Sequence, residues 1–414
     1  MTKTKKSIID IGIYILVILM PFQTQIFEYI IPGNVDNLWR DFLLIIILLS
    51  IVLKNKGILN IGRYGALIFL TWVICLIYTL TSSRPQMAIY LDRVYILPTF
   101  IYFIVINHKS DYLKISKYMV YVACIISVWG IYQAFVLGDA FLISLGYPSM
   151  AGHLSSDSFY ISGFWGIQRV VGTFSSPNLC GVYFGIALLV AMKLGDYLRG
   201  EKIICFLLIA GLLTTFSRSA IVGTLIAFLL TCIDYKEILK LLKYIIFIFP
   251  IVGLILFIID NYLFSGQIYN MLISSFSGIF NNSDPSAREH GQDLKDTLSV
   301  IFQFPFGLGY GKSGPIVASY YNDANLVESS IYLEMYNFGL IGGIIVLLPY
   351  MKKITDIFFR KDIGVAISIL VFFTYALLPN IECFEITFFV YFFMAVGEYL
   401  GDDSFEKNGL YDEY

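Results

Sequence analysis

Charge is scarce in this chain. Asp, Glu, Lys and Arg make up 14% of its 414 residues, while 58% are hydrophobic; soluble domains carry about a quarter charged residues. That balance argues against an ordinary soluble fold. The formal net charge of −2 removes any global electrostatic case for binding nucleic acid. Histidine is scarcer still: His108, His153 and His290 are scattered. The six cysteines (Cys75, Cys124, Cys180, Cys205, Cys232 and Cys383) lie in or beside apolar runs and form no CxxC or Cys/His cluster. They read as small apolar packing residues, and no metal site is expected. No phosphate-cradling P-loop is present, so direct ATP hydrolysis is not expected.

What the chain has instead is apolar length. Twelve runs reach helical length: Ile8 to Ile31, Leu38 to Leu53, Tyr64 to Leu80, Tyr90 to Asn107, Ile115 to Leu137, Pro177 to Leu194, Ile203 to Phe216, Ser219 to Ile233, Leu241 to Ile259, Val327 to Tyr350, Ile363 to Leu378 and Ile381 to Leu400. Runs of this kind span a hydrocarbon core as helices. The expected fold is all-α: one polytopic membrane domain over 1–414, about twelve transmembrane helices, both termini cytoplasmic, and two long outer loops. The basic N-terminus, Met-Thr-Lys-Thr-Lys-Lys, precedes an apolar run with no small-residue cleavage site, which reads as a retained first helix. The seventh and eighth runs are short. Only Thr214, Thr215, Ser217 and Arg218 break them, which suggests a hairpin.

The basic residues test this map. With sides alternating from an inner N-terminus, 20 of the 28 lysines and arginines fall inside, as the positive-inside rule requires. Residue type separates too. The inner side holds 17 Lys and 3 Arg, whereas the outer side holds six Arg (Arg40, Arg84, Arg93, Arg169, Arg218 and Arg288) and two Lys. Arginine on the outside serves no topological purpose, and guanidinium is the better bidentate partner of phosphate. A phosphate or pyrophosphate ligand at the outer surface would account for the bias. Pairing with Asp41, Asp92 and other carboxylates, or snorkelling to headgroups, is the alternative.

Four outer features carry chemistry. Arg169-Val170-Val171-Gly172-Thr173-Phe174-Ser175-Ser176-Pro177-Asn178 enters the sixth run; Pro177 suits a first helical turn, Ser176 and Asn178 can satisfy free N–H groups, and a helix N-terminus favours an anion. Thr214-Thr215-Phe216-Ser217-Arg218-Ser219-Ala220 places an arginine at the hairpin tip. The loop 261–326 carries Arg288, a short amphipathic helix after Asp284-Pro285, and a Pro305, Gly307, Gly309, Gly311 turn. Glu328-Ser329-Ser330 with Glu334 opens the tenth run, Glu328 at the mouth and Glu334 deeper, and Glu382 and Glu385 lie near the outer end of the last. The other long outer loop, 138–176, is also of functional length.

In this order and on this side, these features resemble the O-antigen ligase and O-antigen polymerase superfamily of bacterial membrane glycosyltransferases. The resemblance rests on an Arg-x-x-Gly-x-Phe-x-x-Pro-Asn segment (Arg169, Gly172, Phe174, Pro177, Asn178), a Thr-x-Ser-Arg-Ser-Ala segment (Thr215, Ser217, Arg218, Ser219, Ala220), and a loop with Arg288, Pro305, Gly307 and Gly309. It covers about Arg169 to Gly343. Ligases carry a His-Asn pair where the large loop meets the tenth helix; here the stretch reads Val327-Glu328-Ser329-Ser330-Ile331-Tyr332-Leu333. That departure is more similar to Wzy-type polymerases of capsular and exopolysaccharide pathways, and it makes Glu328 the candidate base.

The resemblance implies a metal-independent, inverting transfer of oligosaccharide repeat units from undecaprenyl diphosphate, without cofactors, at the outer face of the bacterial cytoplasmic membrane. It implies catalytic roles for Glu328 and Arg288, diphosphate binding by Arg169, Arg218 and Arg288, and a site lined by Asn178, Ser217, Ser329 and Glu334. Undecaprenyl-diphosphate-linked oligosaccharides and the lipid bilayer are the expected partners, with a flippase and a chain-length regulator as further candidates. A ligase using another acceptor and a lipid-linked glycan transporter remain as alternatives.

Overall fold

The computed structural model describes residues 7–30, 38–150, 152–154, 157–161, 164–231, 295–327, 329–377 and 383–400. The ninth apolar run, Leu241 to Ile259, lies outside them, as do Arg288, Glu328 and Glu382. Each of the other eleven runs forms a helix. Among the described residues, five helical stretches are long and apolar enough to cross a membrane: Ile8–Phe27, Pro85–Asn107, Tyr112–Leu145, Pro177–Tyr197 and Ser330–Phe358. The chain is an integral membrane protein.

Helix α1 (Ile8–Leu19) starts on a capping box between Ser7 and Asp10 and runs on through a π-helical stretch, Gln23–Ile30. Next come α2 (Leu38–Lys54), α3 (Gly65–Thr81), α4 (Pro85–Ile96) and α5 (Phe100–Asn107), the last two joined through a 3-10 turn at Pro98. Helix α6 (Tyr112–Tyr132) ends in a π turn, Gln133–Leu137, and is followed by α7 (Gly138–Leu145). The expected loop 138–176 is therefore folded. Besides α7 it holds two antiparallel hairpins, β1 (Ser149–Met150) with β2 (His153–Leu154), and β3 (Tyr160–Ile161) with β4 (Phe164–Gln168). These are the one departure from an all-helical expectation among the described residues.

Helix α8 (Pro177–Leu194) begins as its sequence dictates, with Pro177 in the first turn and the Ser176 side chain accepting from the Leu179 N–H. The hairpin α9 (Glu201–Thr214) and α10 (Arg218–Thr231) follows. The loop before the tenth run contains α11 (295–303) and the short α12 (Pro315–Ala318). The chain then forms α13 (Ser330–Thr355), α14 (Ile363–Tyr375) and α15 (Phe384–Leu400). Helices α8, α14 and α15 are apolar on all sides and buried on nearly all, which makes them the centre of the bundle.

Small residues set the close contacts there. A Cβ on Gly181 would stand 2.9 Å from Thr215 Oγ1 and 3.0 Å from Ser217 Cβ, so only glycine lets α8 approach the hairpin turn. Helix α13 is broken at Gly339, whose φ is +72°, and the Pro305–Gly311 turn docks into the break. Leu340 N–H donates to the Pro305 carbonyl (3.0 Å), and Leu308 N–H to that of Tyr336 (2.9 Å). Irregular backbone at membrane depth is tolerated where protein buries and satisfies it.

Side-chain contacts define two ends of the bundle. At one end Asp10 meets His108, Arg63 meets Asp356, Lys353 meets Asp362 and Lys193 reaches the Thr231 carbonyl. At the other, Arg40 meets Glu385, Arg93 meets Asp41, Arg84 meets Asp323, and Arg169 reaches the turn before Arg218. The first is a lysine end, the second an arginine end.

Candidate active site at the arginine end

Three segments converge on Arg169. Its Nε donates to the Thr215 carbonyl (2.8 Å), one terminal nitrogen to the Ser158 carbonyl (2.7 Å), and the other to Asn178 Oδ1 (2.7 Å). The backbone is tied as well: Arg169 N–H donates to the Phe159 carbonyl (2.8 Å) and Val170 N–H to that of Thr214 (3.1 Å). One guanidinium thus joins the folded outer loop, the α9–α10 turn and the first turn of α8. Guanidinium can only donate, so the Asn178 amide must turn its oxygen inward. Its NH2 group is left facing away from Arg169 at the α8 N-terminus.

The α9–α10 turn is tight. Phe216 has a φ of +50°, a left-handed conformation that is costly for a side chain of that size. It lets Thr215 Oγ1 accept from Ser217 N–H (3.3 Å) and brings the Ser217 and Ser219 hydroxyls within 3.5 Å of each other. Ser217 is buried, whereas Arg218 is exposed where α10 begins.

Arg169 keeps its charge among neutral oxygens: among the described residues none of its partners is a carboxylate. Burial, and then the neighbouring Arg218 charge, push its guanidinium down to about 10. Two guanidinium groups thus lie close together near a helix N-terminus, a place that favours an anion.

Of the six outer arginines, then, two behave alike. Arg40, Arg84 and Arg93 each pair with a carboxylate and follow the alternative reading for outer arginines. Arg169 and Arg218 are brought together with Asn178 and Ser217. The remaining candidates are placed elsewhere. Ser329 caps α13, its hydroxyl donating to the Tyr375 carbonyl (3.1 Å) at the C-terminus of α14. Gly223 of α10 lies against Leu370 of α14, one and a half turns from Tyr375, so Ser329 sits at the arginine end too. Glu334 is fully buried and accepts from the Tyr95 hydroxyl (2.6 Å), so it faces α4. Glu385 pairs with Arg40, itself stacked on Phe384 at 3.8 Å.

Sequence reasoning missed two supports. The extension of α1 backs the Arg169 segment: Thr173 Oγ1 donates to the Pro21 carbonyl (2.6 Å) and Gln25 Nε2 to that of Gly172 (3.2 Å). In the outer loop, Asp139 accepts from both His153 and Tyr160. The glutamines embedded in apolar runs were the available signal for the first.

The bundle is that of an integral membrane protein. The O-antigen ligase family matches residues 203–347, which bears out the resemblance to the O-antigen ligase and polymerase superfamily. The matched region takes in Ser217, Arg218, Ser329 and Glu334, and leaves Arg169 and Asn178 outside it. No curated protein matches the chain. Residues 203–347 are thus similar to a family of membrane proteins described as O-antigen ligase.

Proposed function

We propose that the chain is a polymerase that joins undecaprenyl-diphosphate-linked oligosaccharide repeat units into a capsular, exopolysaccharide or O-antigen chain. The arginine end faces outward from the bacterial cytoplasmic membrane and both termini lie inside. The single observation that carries this reading is the charge of Arg169, half-buried beside Arg218 and bonded to neutral oxygens at the start of α8. A departing diphosphate supplies the missing negative charge, and preorganised donors there stabilise it as the bond breaks.

In the proposed reaction an acceptor hydroxyl attacks the anomeric carbon from the face opposite the diphosphate. The carbon–oxygen bond to phosphorus breaks, its electron pair leaves on the diphosphate, and Glu328 takes the hydroxyl proton. The anomeric centre inverts. Arg218 grips the diphosphate from the exposed side, with Arg288 as a third cation. Asn178 offers its outward NH2, and Ser217 and Ser329 line the approach. The residues provide both the cation and the base, so the step needs no metal or cofactor.

The direct test is polymerisation of purified lipid-linked repeats by wild type, Arg218→Lys and Glu328→Gln. Shortened or absent polymer in both variants is the expected result; unchanged chain length in both defeats the assignments. The matched family is described as O-antigen ligase, which favours a ligase as the second reading. Deletion separates the two: loss of a polymerase leaves single lipid-linked repeats, whereas loss of a ligase leaves long carrier-linked polymer.

A further inference from the structure

Next to Arg169 lies a seam between the end of α6 and β4. Gly130 packs against Val170 and Gly172: a Cβ there would stand 2.6 Å from Val170 Cγ1 and 3.1 Å from the Gly172 Cα. Gln133 follows Gly130 by three residues, in the π turn that continues α6, and so lies over the same face. Gln168 precedes Val170 by two residues in extended chain and so points to the same side. The π turn and β4 are in contact. Both glutamines are closed off from solvent, Gln133 at 0% and Gln168 at 4% exposure. Among the described residues neither the oxygen nor the nitrogen of either amide has a hydrogen-bond partner.

Two amides shut away with all four polar atoms unbonded are costly, and native folds rarely keep such groups without a use. Their place is specific. Gln168 is bonded in sequence to Arg169, and the seam opens on the Gly172 segment that leads into the first turn of α8. A π turn widens the helix where Gln133 emerges, a feature common at functional sites. Glutamine has three rotatable bonds, so either amide can leave the seam for a better partner, and the seam offers nothing to hold it back. A pyranose ring attached to the diphosphate carries what the amides lack: hydroxyls that both donate and accept.

We propose that Gln133 and Gln168 form a sugar-recognition subsite that reads hydroxyls of the pyranose adjoining the diphosphate held at Arg169 and Arg218. This rests on the proposed transferase reading and extends it from the diphosphate to the sugar. The two amides then set which lipid-linked glycan is accepted, while the arginines hold the part common to every carrier.

The test compares two probes on each variant: bare undecaprenyl diphosphate, and the lipid-linked single repeat extracted from cells deleted for this chain. Affinities are measured by titration in detergent, and the readout is their ratio within each protein, which general damage to the fold does not change selectively. Wild type is expected to favour the sugar-bearing probe by about tenfold, the worth of one or two net hydrogen bonds. Gln133→Leu and Gln168→Leu each bring the ratio toward one, with affinity for bare undecaprenyl diphosphate retained. Gln168→Glu, which keeps acceptors at the same reach, restores part of the preference. Leucine variants that keep the wild-type ratio overturn the proposal. Loss of bare-carrier binding in Arg218→Ala confirms the diphosphate reading separately; if wild type binds neither probe, that reading falls with this one.

Discussion

The two ends of the bundle handle charge differently. At the lysine end, cations meet acids. Lys353 and Asp362 pair at 2.9 Å with their side chains 1% and 0% exposed. Asp356 gathers Arg63 (3.3 Å), Lys352 (3.4 Å) and the Tyr64 hydroxyl. Glu398 takes the Tyr102 hydroxyl (2.6 Å) and the Arg63 N–H (2.8 Å). Glycines admit the cluster: a Cβ on Gly397 would lie 2.4 Å from Asp362 Oδ1. At the arginine end, Arg169 sits among neutral oxygens with Arg218 beside it. Both ends use charge to fasten helices, the arginine end through Arg40, Asp41, Arg93 and Glu385, but only there does a guanidinium, that of Arg169, rest on neutral oxygens. The difference also weighs against a transporter. Alternating access requires each end to open in turn, and at the lysine end the buried Lys353–Asp362 pair fastens α13 to the start of α14.

The sharpest way to break this comparison is at Lys353. Replacing it with Met leaves Asp362 buried and unpaired, a change that costs about 3–5 kcal/mol. Thermal unfolding in detergent should show a large loss for Lys353→Met and recovery of most of it in Lys353→Met/Asp362→Leu, where both charges go. A single variant that melts with wild type would show that the lysine end is not fastened by charge.

Arg218 gives the reverse expectation. It is exposed where α10 begins. Arg218→Ala should melt close to wild type, yet lower the turnover of lipid-linked repeats by about 10²–10³-fold, the scale for a lost transition-state donor. Loss of stability in parallel with activity would place Arg218 with the fastening residues and erase the contrast between the ends.

Much of this contrast was legible in the sequence, because its causes are local. Apolar run length fixed eleven helices, and the segregation of lysine from arginine marked two ends before any contact was known. Ser176-Pro177 announced the start of α8, since capping depends on neighbours in the chain. What the sequence hid depends on partners far apart. Arg40, Arg84 and Arg93 looked the same as Arg169, but their carboxylates lie as many as 345 residues away, as for Arg40 and Glu385. The break at Gly339 was invisible because its conformation answers to Pro305 and Phe306 of a separate segment. The folded loop over 138–176 was missed because strands of two to five residues leave too little alternation to read.

A subtler probe addresses Arg169. Burial and Arg218 already draw its guanidinium down to about 10. A folded-state value below the unfolded one means that the charged form is disfavoured in the fold. The penalty is present in full at neutral pH and is relieved as pH rises through about 10. Stability should therefore increase over that alkaline interval, while activity that needs the cation decreases. Lysine starts from about 10.4, so Arg169→Lys, set in the same surroundings, should lose its charge sooner. The alkaline limb of its pH–rate profile should lie below that of wild type, and pyrophosphate, by supplying negative charge, should move both limbs upward. Coincident limbs would mean that the charge of Arg169 takes no part in the reaction.

The smallest expected effect concerns an exposed ion pair at the arginine end. Arg84 pairs with Asp323 while stacked on the Tyr321 ring at 4.2 Å, and Asp323 is 74% exposed. Water screens an ion pair of this kind, and its side chains give up freedom to form it, so Asp323→Asn should change stability by no more than about 0.5 kcal/mol. Polymer yield should stay at the wild-type level, because the hydrogen bonds of Arg169 run to Thr215, Ser158 and Asn178 and not to this pair. The geometry of Arg84–Asp323 resembles that of the lysine-end pairs; what differs is solvent. A loss comparable to that of Lys353→Met would make burial irrelevant, whereas a negligible loss leaves burial as what separates a fastening pair from an exposed one.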